Sequence, residues 1–258
     1  MKETQASATI QRVEAHLHRR ARWRLAEIVF WAAVLAAIIA VPSRAALINE
    51  ILVAGLFALS LDLILGLTGI VSLGQAAFLG LGAYAAAILA SAGYTDPTLG
   101  LVVGAAIAAV VGFATAPLLL RGSDLTRLMV TLGVSLLLGE LANRNGWLTG
   151  GTDGLNFSMG KVLSLFPIGF TGQRNAALYS YVVLFALFAV ARRLAQSPFG
   201  LALAAIRENR LRADAIGIAT GRRIAAIYTV SAAYAAVAGV PPAYGLYARH
   251  GRLPLCGQ

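Results

Sequence analysis

The sequence predicts an all-α protein, a polytopic transmembrane helical bundle of about seven spans. Three observations carry this reading. Of 258 residues, 59% are hydrophobic and only 12% are charged, whereas soluble domains carry roughly 25% charged residues. Apolar runs such as residues 47–67 and 99–120 hold few charges and match the ~20 residues that a helix needs to cross hydrocarbon. These runs are continuous rather than alternating, so the backbone must satisfy itself inside helices and not around a barrel.

The elements follow in order. Residues 1–24 form a polar segment that closes on the basic cluster His18, Arg19, Arg20, Arg22 and Arg24. The first span, 25–41, runs into Pro42, Ser43 and Arg44 without a convincing cleavage site, so it reads as retained rather than as a signal peptide. Further spans are expected at about 47–66, 76–92, 98–120, 127–143, 176–192 and 223–247. They make one transmembrane domain over 25–247, followed by a polar tail, 248–258. With the N-terminus inside, fifteen of the 21 Lys and Arg residues lie on that side and four, Arg44, Arg144, Lys161 and Arg174, on the other. This asymmetry predicts a cytoplasmic N-terminus. It also explains the net charge of +10 as an orientation signal beside anionic lipid. Nucleic-acid binding is not expected, because no basic and aromatic interleaving accompanies the charge.

Chemistry of the chain's own is not expected either. The one cysteine, Cys256, and the three histidines, His16, His18 and His250, all lie near the termini, so no metal or catalytic cluster, and no cofactor, is expected in the core. The GxGxxA match that starts at Gly80 lacks the βαβ context of a dinucleotide site, and there is no GxxxxGK[ST] for ATP.

Four regions hold candidate functional residues. Residues 66–82, GLTGIVSLGQAAFLGLG, place Gly66, Gly69, Gly74, Gly80 and Gly82 beside Thr68, Ser72 and Gln75. Such glycines either let helices pack closely or interrupt a helix so that its free backbone groups line a cavity. Asp62 and Glu140 lie within spans, where a carboxylate points by default to function. Glu140 has Arg144 four residues on and is read as an ion pair. Asp62 is read either as a solute-path group or as the partner of Gln75 or Ser72. Gly100, Gly104, Ala108 and Gly112 form a small-residue ridge for helix contact.

The third region is a loop on the outer side that contains Thr149, Gly150, Gly151, Thr152, Asp153 and Gly154. This is turn chemistry, either a plain connection or an ordered external cap. The fourth, 195–223, lies on the inner side. Ser197 before Pro198 is a helix start, Leu201, Ala204, Ala205 and Glu208 or Asn209 are expected on one apolar side, and Asn209 permits a bend into a second short helix near 211–216. Gly217 can end that helix in the left-handed conformation. The pair, rimmed by Arg207, Glu208, Arg210, Arg212 and Asp214, reads as a segment lying on membrane lipid or as a docking element for a cytoplasmic protein.

Taken in order, LGLTGIVSLGQAAF (65–78) with Gly80, Gly82, Ala83 and Tyr84, then Thr131 and Leu132 with Gly139 and Glu140 leading to LTGGTDGL (148–155), then SPFG (197–200) with AAIREN (204–209) and ADAIG (213–217) resemble the LivM-type permease family of branched-chain amino acid ABC importers. The likeness extends from about residue 47 to 240. It implies a permease subunit, not an enzyme, in the cell inner membrane. The implied partners are a second, LivH-like permease, two cytoplasmic ABC ATPase subunits and a periplasmic amino-acid-binding protein. It assigns Arg207, Glu208, Asn209, Arg212, Asp214 and Gly217 to ATPase coupling, and leaves Asp62, Thr68, Ser72 and Gln75 as solute-pathway candidates. The alternatives are a permease for another small solute, such as urea or amides, and a self-contained secondary carrier or channel that uses Asp62. Two departures stand out. Leu201 replaces a frequent Arg, and the family's C-terminal spans are missing after a helix that Pro241 and Pro242 are expected to kink or break. A shortened permease that assembles poorly is the corresponding expectation.

Overall fold

Away from water, a continuous apolar run satisfies its backbone by forming a helix, and the computed structural model follows this rule throughout. The structure describes residues 25–94, 96–120, 124–144 and 173–250, with side chains over 25–94, 96–120, 125–144 and 174–241. The chain divides into two units, Met1–Ala40 and Val41–Gln258. The described part of the first is helix α1, Leu25–Ala40, in which the rings of Phe30 and Trp31 meet edge to face at 5.6 Å.

The second unit begins with a 3₁₀ turn, Pro42–Arg44, that feeds α2, Ala45–Thr68. Then come α3 (Gln75–Ser91), α4 (Pro97–Leu120), α5 (Asp124–Arg144) and α6 (Gln173–Gln196). Two short helices, α7 (Pro198–Glu208) and α8 (Arg210–Ala215), lead into α9, Thr220–His250. Among the described residues, the seven helices of 16 residues or more fall on the predicted spans. By length and composition, α2 with its leading turn, α4, α5, α6 and α9 can cross a membrane, while α1 and α3 are shorter apolar helices of 16 and 17 residues.

Helix α9 is the axis of the second unit. Ile224, Ile227, Tyr228, Ala232, Ala235 and Ala236 are buried along it, and α2, α3 and α4 pack around it. Small residues make these crossings possible, because helices in lipid associate through close backbone packing rather than through the hydrophobic effect. A methyl group on Gly82 of α3 would overlap the Ala236 carbonyl, and one on Gly239 of α9 would overlap the Leu79 carbonyl. On α4 the buried positions include Gly100, Gly104, Ala108, Gly112 and Ala116, the predicted ridge extended by one turn. A β-carbon on Gly112 would lie 2.8 Å from that of Ala232. Phe78 and Tyr228 fill the wider space nearby, edge to face at 5.8 Å.

Of the kink or break expected at Pro241 and Pro242, the break is corrected by the structure, in which α9 continues to His250. Two consecutive prolines remove only their own two donors, which frees the carbonyls of Val237 and Ala238, and the rest of the ladder propagates. Of the expected tail, 248–250 belong to α9, and residues 251–258 and the basic N-terminal segment lie outside the described residues.

Candidate functional site

Two pieces of irregular chain meet at one end of the second unit: the break between α2 and α3, and the two-helix element α7–α8. The break is built by local chemistry. Thr68 Oγ1 donates to the Ile64 carbonyl at 2.6 Å and accepts from Ile70 N at 3.4 Å, so its hydroxyl replaces a backbone partner at the helix end. Gly69 then takes a left-handed φ of 72° while its N–H still reaches the Leu65 carbonyl at 2.9 Å. That conformation suits glycine, which has no β-carbon to clash. The chain stays non-helical until Gln75. Leu73 N donates to Thr131 Oγ1 of α5 at 3.2 Å, and a β-carbon on Gly74 would stand 3.0 Å from the Thr131 carbonyl oxygen.

The break delivers two of the candidate side chains to the interior. Gln75 is only 1% exposed. Its Nε2 donates to Ser231 Oγ of α9 at 2.9 Å, and Ser231 Oγ donates to the Ser60 carbonyl of α2 at 2.6 Å. Three helices are thus tied by one polar chain. Ser72 is also buried, and it and Thr115 of α4 neighbour the Tyr228 hydroxyl. Ser72 Oγ and Gln75 Oε1 are buried and make no hydrogen bond among the described residues. Buried polar atoms are normally paired, so these two retain capacity for a water or a solute.

Asp62 does not join this cluster. It is exposed on α2, its carboxylate lies against Gly66 one turn on, and of the two partners expected for it Gln75 is bonded to Ser231 instead and Ser72 Oγ makes no hydrogen bond among the described residues. Glu140 and Arg144 form the expected i,i+4 pair at 3.1 Å, both largely exposed. The external-loop residues Thr149, Gly150, Gly151, Thr152, Asp153 and Gly154 lie outside the described residues. Among the described residues no group of three or more His, Cys, Asp or Glu side chains could hold a metal ion.

The α7–α8 element carries its own start and stop signals. Ser197 Oγ accepts from Gly200 N at 3.3 Å, with Pro198 at the first helical position. Asn209 is extended, ends α7, and caps α8 by accepting from Arg212 N at 3.0 Å. Gly217, at φ 85°, closes α8: its N–H reaches the Asp214 carbonyl and Ile218 N reaches the Ala213 carbonyl, both at 3.0 Å. These are the paired bonds of a Schellman motif. The expected apolar side is corrected, however. Gly200, Leu203 and Ile206 are the buried positions of α7, while Leu201 is 48% exposed and Ala204 is also exposed. The spacing admits either stripe, and Leu203 and Ile206 enter the core beside Leu63, Ile64 and Ile224. Facing outward are Glu208, Arg212, Asp214, Leu211 at 81% and Ile216 at 74% exposure. Arg207 turns back instead, and its Nη1 donates to the Gly66 carbonyl at 2.8 Å.

The family described as branched-chain amino acid transport system / permease component matches residues 43–247. The chain belongs to this permease family. With its apolar helices, it is a multi-pass membrane protein. Among curated proteins, the high-affinity branched-chain amino acid transport system permease protein LivM of Salmonella typhimurium (strain LT2) is 29% identical over 208 residues, covering 70% of this chain and 48% of that protein. LivM of Escherichia coli (strain K12) is 30% identical over 209 residues, with the same coverages of 70% and 48%. The chain therefore spans about half the length of the curated relatives it matches. No solved structure matches it.

Sequence reasoning missed Ser231, Thr131 and Tyr228 as members of the permease's buried polar cluster. The signal for the first two was present, since a hydroxyl in the middle of an apolar span asks for a partner. Their partners lie 156 and 58 residues away, and no local spacing reveals that.

Proposed function

We propose that the chain is the membrane-spanning permease subunit of an ATP-driven importer for branched-chain amino acids. It would lie in the inner membrane with a cytoplasmic N-terminus. Its partners would be a second, LivH-like permease, two cytoplasmic ATPases and a periplasmic amino-acid-binding protein. The family match over residues 43–247 carries this reading. Energy would come from the ATPases, and the permease would alternate access without bond chemistry of its own.

The α7–α8 element supports the proposed coupling role. Its helix ends are satisfied internally, so it can present a rigid face, and Leu211 and Ile216 stand exposed beside Glu208, Arg212 and Asp214. Apolar anchors within a polar rim are what a protein partner needs. For the solute route, the partnerless atoms of Ser72 and Gln75 favour those two over Thr68, whose hydroxyl is occupied at the helix end. Asp62 shares an exposed stripe of α2 with Glu50, Ala54 and Ala58. A carboxylate facing lipid is costly, so this stripe is assigned to the interface with the second permease.

Reconstitution of the chain with these partners tests the proposal. Uptake of leucine, isoleucine or valine should require ATP and the binding protein. Glu208→Lys should weaken ATPase co-purification by roughly tenfold or more, as loss of a central contact does, and should reduce uptake with it. Uptake driven by an ion gradient in the absence of partners would reject the reading, and unchanged ATPase binding and uptake in the variant would reject the docking face.

A further inference from the structure

We infer that Arg207 is a positioning residue that ties the α7–α8 element to the break between α2 and α3, so that displacement of α7 moves the segment that carries Ser72 and Gln75. The inference rests on the permease reading above and adds the route by which coupling enters the bundle. At the end of α2, Ile70 N would ordinarily donate to the Gly66 carbonyl four residues back, but it is directed to Thr68 Oγ1. Gly66 is left with an orphan acceptor at the negative end of a 24-residue helix. Arg207, 141 residues away in sequence, supplies the missing donor through Nη1 at 2.8 Å.

The aliphatic stem of the same side chain covers the turn. A β-carbon on Gly69 would lie 3.2 Å from Arg207 Cγ, so the left-handed residue is held beneath the arginine as well as permitted by its own geometry. At its far side the break is fixed by the bond from Leu73 N to Thr131 Oγ1. Residues 69–74 are therefore suspended between α7 and α5. Helix α7 is itself seated in the core through Leu203 and Ile206, and its displacement is carried to Gly66 by a charge-assisted bond. Such bonds are stronger than neutral ones.

The test uses the complete importer carrying Arg207→Ala, Arg207→Lys or Gly69→Ala, and in parallel this chain alone in lipid nanodiscs. In the importer, Arg207→Ala should retain ATPase co-purification and basal hydrolysis, while solute moved per ATP falls about tenfold, the scale set by losing a charged hydrogen bond. Arg207→Lys, which can still donate to Gly66, should recover most of that ratio, and Gly69→Ala should fall with Arg207→Ala. In the isolated chain, amide exchange over residues 69–74 should quicken by about tenfold in Arg207→Ala. An unchanged ratio of solute to ATP, or loss of ATPase co-purification, would overturn the inference, the second by making Arg207 a docking contact. Unchanged exchange at 69–74 would overturn the tie independently of any ATPase. Faster exchange in a chain whose wild-type form recruits no ATPase would confirm the tie and reject the importer reading.

Discussion

Gln75 shows how much one side chain can decide inside a bundle. Ser231 has a single hydroxyl hydrogen, which goes to the Ser60 carbonyl, so Ser231 can only accept from Gln75, and the Gln75 amide must face it with nitrogen. A carboxylate at this position cannot donate and would bury a charge. Gln75→Leu should destabilise the detergent-solubilised protein by about 1 kcal/mol, near the upper side of interhelical bonds measured in membranes, and Gln75→Glu by several times that. The order wild type, Leu, Glu should appear in thermal aggregation midpoints; a Glu variant as stable as the Leu variant would contradict the assigned donor direction. The sequence made Gln75 conspicuous because a polar residue among apolar ones must be satisfied. It could not name Ser231, because interhelical pairs form between residues whose separation in sequence carries no period.

Among the helices, the glycines of residues 66–82 divide into kinds that look alike in one dimension. Gly69 turns the chain, Gly82 admits the backbone of α9, and Gly80 has open space around it, with nothing within 4 Å of a β-carbon. Gly80→Ala should therefore be neutral or stabilise α3 by up to about 1 kcal/mol through helix propensity. Gly82→Ala would press on the Ala236 backbone and should cost ~3 kcal/mol or more, at the upper end of overpacking effects. Expression yield and detergent melting of the two variants measure this contrast, and equal effects would show that the α3–α9 crossing is looser than described. The ends of α7 and α8 were legible from Ser197, Pro198, Asn209 and Gly217 because capping is settled within a few residues. Which stripe of α7 is buried was not, because Leu201 and Leu203 are equally apolar and the choice belongs to the core they meet.

Across the second unit, alternating helices place two sets of ends. The Asn49–Ser180 hydrogen bond at 2.6 Å joins the beginnings of α2 and α6, while the Arg207–Gly66 and Leu73–Thr131 bonds join the opposite ends and the start of α5. Arg127, Arg192, Arg193, Arg207, Arg210, Arg212, Arg222 and Arg223 consequently belong to the end that holds α7–α8, and Arg44, Arg144 and Arg174 to the other. The charge asymmetry read from the sequence thus coincides with the helix ends that these hydrogen bonds bring together, and cationic side chains at inner ends are what fixes orientation during insertion. The α7–α8 end should face the cytoplasm. In a Cys256→Ser background, a membrane-impermeant thiol reagent should label Arg174→Cys and Thr152→Cys in intact cells, and should reach Leu211→Cys only after the membrane is opened. Leu211 is the most sensitive reporter because it stands 81% exposed on a helix fixed at both ends. Labelling of Leu211→Cys from outside, or of Thr152→Cys only in opened cells, would invert the bundle and place the docking face where no ATPase could reach it.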